Sequence, residues 1–253
     1  MRARAVLGVL AMAGMAACAA AEEKRAKEAE TVVSADLHVR ELRPGVWMHT
    51  SWQRLDDGKR FPSNGLVVRE GDHLVLVDTA WGEPATAELL GWVDRTLKLP
   101  VKAVVVTHFH GDRLGGAAAL QRRGVAFYGH PLTAELAATV KLPPPRTLAG
   151  LAKAGSVDHL ESVEVFYPGP AHTRDNVVVW LPKSRFLVGG CAVRAAGTTA
   201  LGNVADADVS EWPGSIRRVL ERYGEADVVV PGHGEPGGRE LLEHTLELAK
   251  VGK

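Results

Sequence analysis

The sequence has no surplus of charge of either sign, since 30 Lys and Arg residues balance 30 Asp and Glu residues. A chain without a basic excess is not expected to bind nucleic acid, and we predict no such partner. The sequence also lacks an apolar run of the roughly 20 residues that a membrane-spanning helix requires. With 46% hydrophobic and 24% charged residues, the 253-residue chain is typical of a soluble globular protein with one domain, which we place at residues 35–253.

The N-terminus has the features of an export signal. Two arginines precede a short stretch of apolar and small residues, and we assign residues 1–21 to a signal peptide. Two forms of processing remain open. Residues 15–18 resemble a bacterial lipoprotein box, in which Cys18 would carry a lipid anchor to the outer membrane, whereas ordinary cleavage would fall within residues 17–21. We therefore expect a periplasmic protein, with a flexible N-terminal segment at residues 22–34.

Cysteine is scarce, with Cys18 and Cys191 only. If Cys18 is removed or lipidated, Cys191 stands alone and the exported protein has no internal disulfide. A lone thiol in an oxidising compartment is reactive unless something occupies it, and a bound metal would hold it as thiolate. The alternative is a small buried core residue. The position of Cys191, at a strand end after two glycines, favours the metal ligand.

The pattern of apolar residues predicts mixed strands and amphipathic helices, which indicates an α/β protein whose sheets are covered by helices. We predict strands at residues 46–50, 65–69, 74–78, 102–106, 125–128, 162–167, 176–181, 186–189 and 227–230. The predicted helices lie at residues 85–97, 116–123, 132–141, 211–223 and 239–250. We find no repeat and no internal linker.

Histidine, aspartate and cysteine side chains follow apolar, β-branched runs at four places along the chain. They are His108, His110 and Asp112, then His172, then Cys191, and finally His233. Three imidazoles beside an open position are typical of a catalytic zinc site. Carboxylate, thiolate and imidazole together favour zinc over magnesium or calcium. A single histidine is more often a surface or packing residue, so the prediction depends on the joint pattern.

The segment at residues 108–116 resembles the signature of the metallo-β-lactamase superfamily. Most hydrolases of that superfamily carry His after the aspartate, whereas this chain has Arg113 there and a cysteine further along. That combination resembles the class B metallo-β-lactamases of the di-zinc subclass with a Cys ligand. Further matches lie at residues 62–65, 77–81, 172–182, 189–191, 201–203 and 231–234. The resemblance implies a four-layer αβ/βα sandwich, with the site at one edge between the two sheets.

The resemblance also implies two Zn²⁺ ions and a role for each matching residue. The first zinc would be held by His108, His110 and His172, and the second by Asp112, Cys191 and His233. A hydroxide bridging the ions would be the nucleophile, oriented by Asp112. Asn203 would donate a hydrogen bond to the developing oxyanion. Apart from the resemblance, we expect Asp78 to accept a hydrogen bond from a ligand histidine, with a strand-end cap as the alternative, and Arg113 to pair with Asp112 or with neighbouring backbone.

The implied activity is hydrolysis of the β-lactam ring amide of penicillins, cephalosporins and carbapenems, which confers antibiotic resistance. Arg194 stands where the subclass often has Lys and would bind the carboxylate that these small-molecule substrates share. We expect a monomer. The alternatives are another hydrolase of the superfamily, such as a thioesterase or lactonase, and a non-enzymatic zinc-binding protein.

Residues 51–63 are predicted to form a hairpin loop over the site. Trp52, Leu55 and Phe61 are apolar, but charged residues crowd the tip. We therefore expect a weaker hold on hydrophobic substituents of the substrate than is usual for the subclass.

Overall fold

The structure, a computed structural model, describes residues 30–56 and 58–252. The predicted signal peptide and Cys18 lie outside the described residues. Within them, two β-sheets form the centre of the protein: eight strands in the order β1 to β8, and five strands in the order β13-β12-β11-β10-β9. No helix in the described part of the chain has the length and apolar character needed to cross a membrane.

The first sheet is antiparallel from β1 to β5 and parallel from β5 to β8. Its strands are β1 Glu30–Ser34, β2 Leu37–Arg43, β3 Val46–Arg54, β4 Arg60–Glu70, β5 His73–Val77, β6 Val101–Val105, β7 Ala126–Gly129 and β8 Arg146–Thr147. The second sheet is antiparallel except for the parallel pair of β12 and β13. Its strands are β9 Ser156–Leu160, β10 Val163–Tyr167, β11 Val178–Leu181, β12 Phe186–Gly190 and β13 Val228–Pro231.

Helices cover the outer face of each sheet. On the first sheet these are α1 Glu83–Trp92, continued by a π-helical turn at Val93–Leu97, then α2 Ala117–Arg122 and α3 Pro131–Ala137, which a 3₁₀ turn at Ala138–Val140 follows. A further 3₁₀ turn spans Ala149–Leu151. On the second sheet they are α4 Trp212–Tyr223 and α5 Glu240–Val251.

Alternation along the strands divides the apolar residues among three cores. In β5, Val75 and Val77 face the core between the two sheets, whereas Leu74 and Leu76 face the helices of the first sheet. The third core lies between the second sheet and α4 and α5, around Trp212. Burying each such side chain contributes about 1.5–3 kcal/mol to folding. The layers run helix, sheet, sheet, helix, so the predicted αβ/βα sandwich is confirmed.

The prediction of a flexible segment at residues 22–34 is wrong over its last five residues. Glu30–Ser34 forms β1, which pairs antiparallel with β2, and Val33 packs against the core under the helices. The charged residues at 22–25 suggested a tether, and the short β-branched run at residues 31–33 was overlooked. Strands β2, β8 and β9 were also missed by the sequence analysis.

Parallel strand pairs bring distant loops to one edge of the sandwich. Strands β5 and β6 are parallel, as are β12 and β13. The loops that follow the two strands of each pair therefore begin at the same end of the sheet. The two edges meet through strand β4, where the Asn64 N–H donates to Gly232 O at 2.9 Å. Five of the six predicted metal ligands lie in the loops after β6, β12 and β13, and the sixth, His172, lies between β10 and β11.

His49 in β3 is fully buried beneath this edge, with its ring over Gly65 of the neighbouring strand. A Cβ at Gly65 would lie 2.3 Å from His49 Nε2, so only glycine leaves room for the ring. Burial, reinforced by the nearby Arg113 guanidinium, lowers the pKa of His49 to about 3.

We expect His49 to make the fold sensitive to acid. Above pH 6.5, the pKa of His49 in the unfolded chain, the imidazole is neutral in both states and does not change the free energy of unfolding. Between that pH and about 3, the unfolded chain binds a proton at His49 that the folded chain does not bind. The free energy of unfolding should therefore fall by up to ~1.4 kcal/mol per pH unit through this group. In urea unfolding from pH 7 to pH 4.5, His49→Phe should show a shallower decline than the parent. An equal slope would contradict this, and His159→Phe, at an exposed site, is the control.

Candidate metal centre and active site

His108, His110 and Asp112 lie in the loop that follows β6. Asp78, at the end of β5, fixes the start of this loop by accepting hydrogen bonds from Thr107 N at 2.7 Å and Thr107 Oγ1 at 3.0 Å. The loop then coils, because the N–H groups of Arg113 and Leu114 both donate to His110 O. This conformation turns the two imidazoles towards each other, with ring centroids 4.8 Å apart.

His172 completes a group of three imidazoles. It lies between β10 and β11, in a turn closed by Ala171 N–H to Thr173 O and by Thr173 N–H to the Asn176 side chain. Its ring centroid is 5.0 Å from that of His108 and 5.2 Å from that of His110. His172 Nε2 lies 3.3 Å from His110 Nδ1. The structure therefore brings the three predicted histidines together.

Asp112, Cys191 and His233 form the second group. Cys191 Sγ lies 3.3 Å from Asp112 Oδ2 and 3.1 Å from His233 Nε2, and His233 Nε2 is 3.4 Å from Asp112 Oδ2. The other carboxylate oxygen of Asp112 lies 3.9 Å from His108 Nε2. Asp112 thus stands between the two groups.

The residues present fit zinc. The ligand atoms of Asp112, Cys191 and His233, and those of His108, His110 and Asp112, lie within 4.8 Å of one another. Both ring nitrogens of His108 are buried without a hydrogen-bond partner, and a bound cation would take the lone pair of one of them. Nitrogen, thiolate and carboxylate donors in this arrangement suit zinc.

The electrostatics of the cluster also suit a cation. Burial lowers the pKa of His172 to about 3 and that of His233 to about 4, so both imidazoles are neutral, as ligation requires. Burial raises the pKa of the Cys191 thiol, and a coordinated cation would be needed to hold it as thiolate. Burial opposes ionisation of Asp112, but Arg113 and the imidazoles of His108 and His233 outweigh it and hold the pKa of Asp112 well below its usual range.

Arg113 is fully buried beneath the second group and links it to both sheets. Its Nε donates to Asp112 Oδ2 at 3.0 Å, and its Nη2 donates to Gly232 O at 2.6 Å and to Cys191 Sγ at 3.2 Å. Its Nη1 donates to Asn64 O and, at 3.3 Å, to Asp78 Oδ2. The predicted pairing with Asp112 and backbone is present in the structure.

The expectation that Asp78 accepts a hydrogen bond from a ligand histidine is wrong. Among the described residues, its carboxylate binds Thr107 and Arg113 instead, which agrees with the alternative of a strand-end cap. Burial raises the pKa of Asp78 to about 6 although Arg113 and Thr107 lower it. Asp78 supports the ligands indirectly.

A cavity of about 430 Å³ opens over both groups. Its walls carry Asn203 and the side chains of Leu55, Phe61, Trp81 and Val140. A second cavity of about 500 Å³ shares Phe61 and His233 with the first and is lined by the half-buried Arg194. The two cavities are neighbours that meet at Phe61 and His233.

The hairpin of β3 and β4 forms as expected, but among its described residues no charged side chain lines either cavity. The Arg60 side chain binds Ala35 O and Asp36 and lies 5.0 Å from the Trp52 ring, away from the metal ligands. Phe61 instead packs on His233, with centroids 4.8 Å apart. The expected weak hold on apolar substituents is therefore not supported by this geometry.

Comparison with known proteins decides the family. A model of the metallo-β-lactamase superfamily matches residues 58–233. This chain belongs to the metallo-β-lactamase superfamily. The predicted resemblance is confirmed, and Cys191 beside Asp112 agrees with the class B enzymes that use a Cys ligand.

Similar metallo-β-lactamases come from several bacteria. The type 2 enzyme of Bacillus cereus is 46% identical over 218 residues, or 85% of this chain and 83% of that protein. The type 2 enzyme of Bacteroides fragilis is 36% identical over 216 residues, covering 85% and 86%. The crystal structure of FIM-1 from Pseudomonas aeruginosa, in a mono-zinc form, has a TM-score of 0.82 at 40% identity and covers 86% of this chain and 96% of that one.

The sequence analysis missed two supports of this metallo-β-lactamase site. Segment 62–64 joins the sheets: Pro62 O lies 2.6 Å from His233 Nδ1, Ser63 Oγ donates to Asp112 O, and Asn64 Nδ2 donates to Pro231 O and Gly234 O. Asp206 Oδ2 lies 2.9 Å from His110 Nε2. The sequence analysis listed residues 62–65 as a matching motif but gave them no role. No local sequence pattern distinguishes Asp206.

Proposed function

We propose that this protein is a di-zinc β-lactamase that hydrolyses the ring amide of penicillins, cephalosporins and carbapenems and so confers antibiotic resistance. The observation that carries the proposal is the presence of two ligand groups under one cavity, with Asp112 of the second group 3.9 Å from His108 of the first. Arg113 takes the place of the histidine ligand found in most superfamily hydrolases, and Cys191 supplies the missing donor. This donor set favours a β-lactamase over a thioesterase or lactonase.

His108, His110 and His172 would hold one zinc, and Asp112, Cys191 and His233 the other. Two bound zinc ions would supply Lewis-acid polarisation of the lactam carbonyl and an activated water at neutral pH. Asp112 would orient that water and take its proton, because one of its oxygens faces the first group while the other is held by Arg113.

Asn203 would stabilise the oxyanion. Its Oδ1 accepts a hydrogen bond from Ala205 N at 3.1 Å, so the amide NH₂ is the end left to donate into the cavity that Asn203 lines. A donor held in place before the reaction stabilises negative charge at little reorganisation cost.

Arg194 would bind the substrate carboxylate. Its backbone N–H donates to Thr245 Oγ1 at 2.8 Å, and its guanidinium lies against Gly202, at whose position a Cβ would be 2.9 Å from Nη2. The guanidinium therefore lies beside the residue that precedes Asn203, and it lines the cavity next to the one that Asn203 lines.

Arg194→Ala should raise KM about tenfold or more, with a smaller change in kcat, because a charge-assisted hydrogen bond made equally in ground and transition states is lost. Steady-state kinetics on a penicillin and a carbapenem measure this. Arg194→Lys, which keeps the charge, is the matched control and should recover most of the affinity. A loss confined to kcat would argue against carboxylate binding.

Turnover of nitrocefin and imipenem with added zinc, before and after a chelator, tests the function. We expect hydrolysis that the chelator abolishes and zinc restores, with two zinc ions counted by native mass spectrometry. Hydrolysis of thioesters or lactones without β-lactam turnover would identify another superfamily hydrolase. Zinc binding without hydrolysis would identify a storage protein.

We further propose export to the periplasm through the signal peptide, as a monomer. Lipidation of Cys18 and ordinary cleavage are separated by mass spectrometry of the mature N-terminus, since a lipidated Cys18 would begin the anchored form. Size-exclusion chromatography with light scattering reports the oligomeric state.

A further inference from the structure

His110 is held from both sides of its ring. Its Nδ1 faces His172 Nε2 at 3.3 Å, on the side of the metal ligands. Its Nε2 lies 2.9 Å from Asp206 Oδ2, on the opposite side. A carboxylate accepts and does not donate, so Nε2 must carry the hydrogen. The lone pair of Nδ1 is then directed towards the metal site.

The loop that carries Asp206 also carries Asn203. Three residues before Asp206, the Asn203 side chain accepts from Ala205 N, which fixes the direction of its amide. Two residues after Asp206, Asp208 N donates to Ala171 O at 2.9 Å, next to the ligand His172. The loop at residues 203–208 therefore contacts the first ligand group at two points while presenting Asn203 to the cavity.

We propose that Asp206 is a positioning residue that couples the three-histidine group, through His110, to Asn203, the proposed oxyanion donor. It holds His110 in the Nε2–H tautomer with Nδ1 towards the metal, and the same hydrogen bond docks the loop at residues 203–208 on the ligands. The part of this inference that concerns Asn203 rests on the proposed function, whereas the part that concerns His110 does not. The Asp206 side chain is 52% exposed, so its effect comes from hydrogen-bond direction more than from charge.

The first experiment measures zinc affinity, by competition with a chromogenic chelator, and the cobalt(II) absorption spectrum. Loss of a hydrogen-bond partner of a ligand histidine typically weakens metal affinity about 10–100-fold. We expect that loss for Asp206→Ala and a shifted cobalt(II) spectrum. Asp206→Asn should lose much less, because an amide oxygen still accepts from Nε2–H. Glu211→Ala, which removes an exposed carboxylate five residues further along, should behave like the parent protein.

The tautomer is read directly by NMR of the zinc-loaded protein labelled with ¹⁵N-histidine. One ligand imidazole should carry a slowly exchanging Nε2 proton, and its resonance should move in Asp206→Ala but not in Glu211→Ala. Unchanged zinc affinity and an unchanged Nε2 resonance in Asp206→Ala would overturn the proposal, provided that its circular dichroism shows the native fold.

A double-mutant cycle tests the coupling to Asn203. At saturating zinc, Asp206→Ala and Asn203→Ala should each lower kcat, and the double variant should lose less than the product of the two effects, because both disturb the same loop. A purely multiplicative loss would overturn the coupling. If the parent protein does not hydrolyse β-lactams, the proposed function fails, while the affinity and tautomer measurements still judge the role of Asp206 towards His110.

Discussion

Asp112→Asn is expected to lower kcat by about 10²–10⁴-fold, the range attributed to a lost general base. The change keeps the size of the side chain but removes the charge that stands 3.3 Å from Cys191 Sγ and 3.4 Å from His233 Nε2. A neutral amide cannot take a proton from the attacking water, and it is a poorer ligand. Asp112 also serves both ligand groups, so the loss cannot be confined to one of them.

Steady-state kinetics at saturating zinc, together with the zinc content from native mass spectrometry, measure this loss. Asp72→Asn is the control, because that carboxylate is fully exposed and remote from the ligands. A variant of Asp112 that kept more than a tenth of the parent kcat would show that the carboxylate is not needed for proton transfer.

The second large effect concerns stability. Arg113→Met should lower the free energy of unfolding by about 3–5 kcal/mol, the cost of leaving buried charges without their partner. Methionine has nearly the length of arginine but donates no hydrogen bond. The carboxylates of Asp78 and Asp112 and the carbonyl oxygens of Asn64 and Gly232 would all lose a donor.

Urea unfolding of the zinc-loaded protein measures the change. Arg123→Met is the matched control, since Arg123 forms an exposed ion pair with Asp94 and such pairs contribute about 0–1 kcal/mol. Equal losses in the two variants would mean that Arg113, although buried among five acceptor groups, contributes no more to stability than an exposed arginine.

The metal ligands could be predicted from sequence because each follows a run of β-branched residues that ends at the same edge. At these positions the apolar run predicts the end of a strand and the next residues are metal-binding side chains, as with His108 and His110 after β6. The role of Asp206 could not be predicted, because its partner His110 lies 96 positions away and an exposed aspartate in a loop is ordinary. The true partners of Asp78 were missed for a related reason. Thr107 and Arg113 also lie far from Asp78 in the sequence.

Strands at the sheet margin were the weakest part of the sequence analysis. β1 is a five-residue edge strand with two valines, and β2 carries Arg40, Glu41 and Arg43, so neither strand shows a long apolar alternation. At the hairpin tip, the charged residues suggested a polar surface over the site. Arg60 instead binds Asp36, and Phe61 and Leu55 line the cavity over the metal ligands.

The ligands are divided equally between the two sheets, three from each. His108, His110 and Asp112 follow β6 of the first sheet, while His172, Cys191 and His233 leave strands of the second. Each ion would therefore be bound by both halves of the protein, two donors against one at the first position and one against two at the second. The two bound zinc ions would cross-link the two halves of the protein. Zinc binding would therefore also stabilise the packing of one sheet on the other. A substitution that loosens the packing of one sheet on the other would consequently weaken metal binding without touching any ligand.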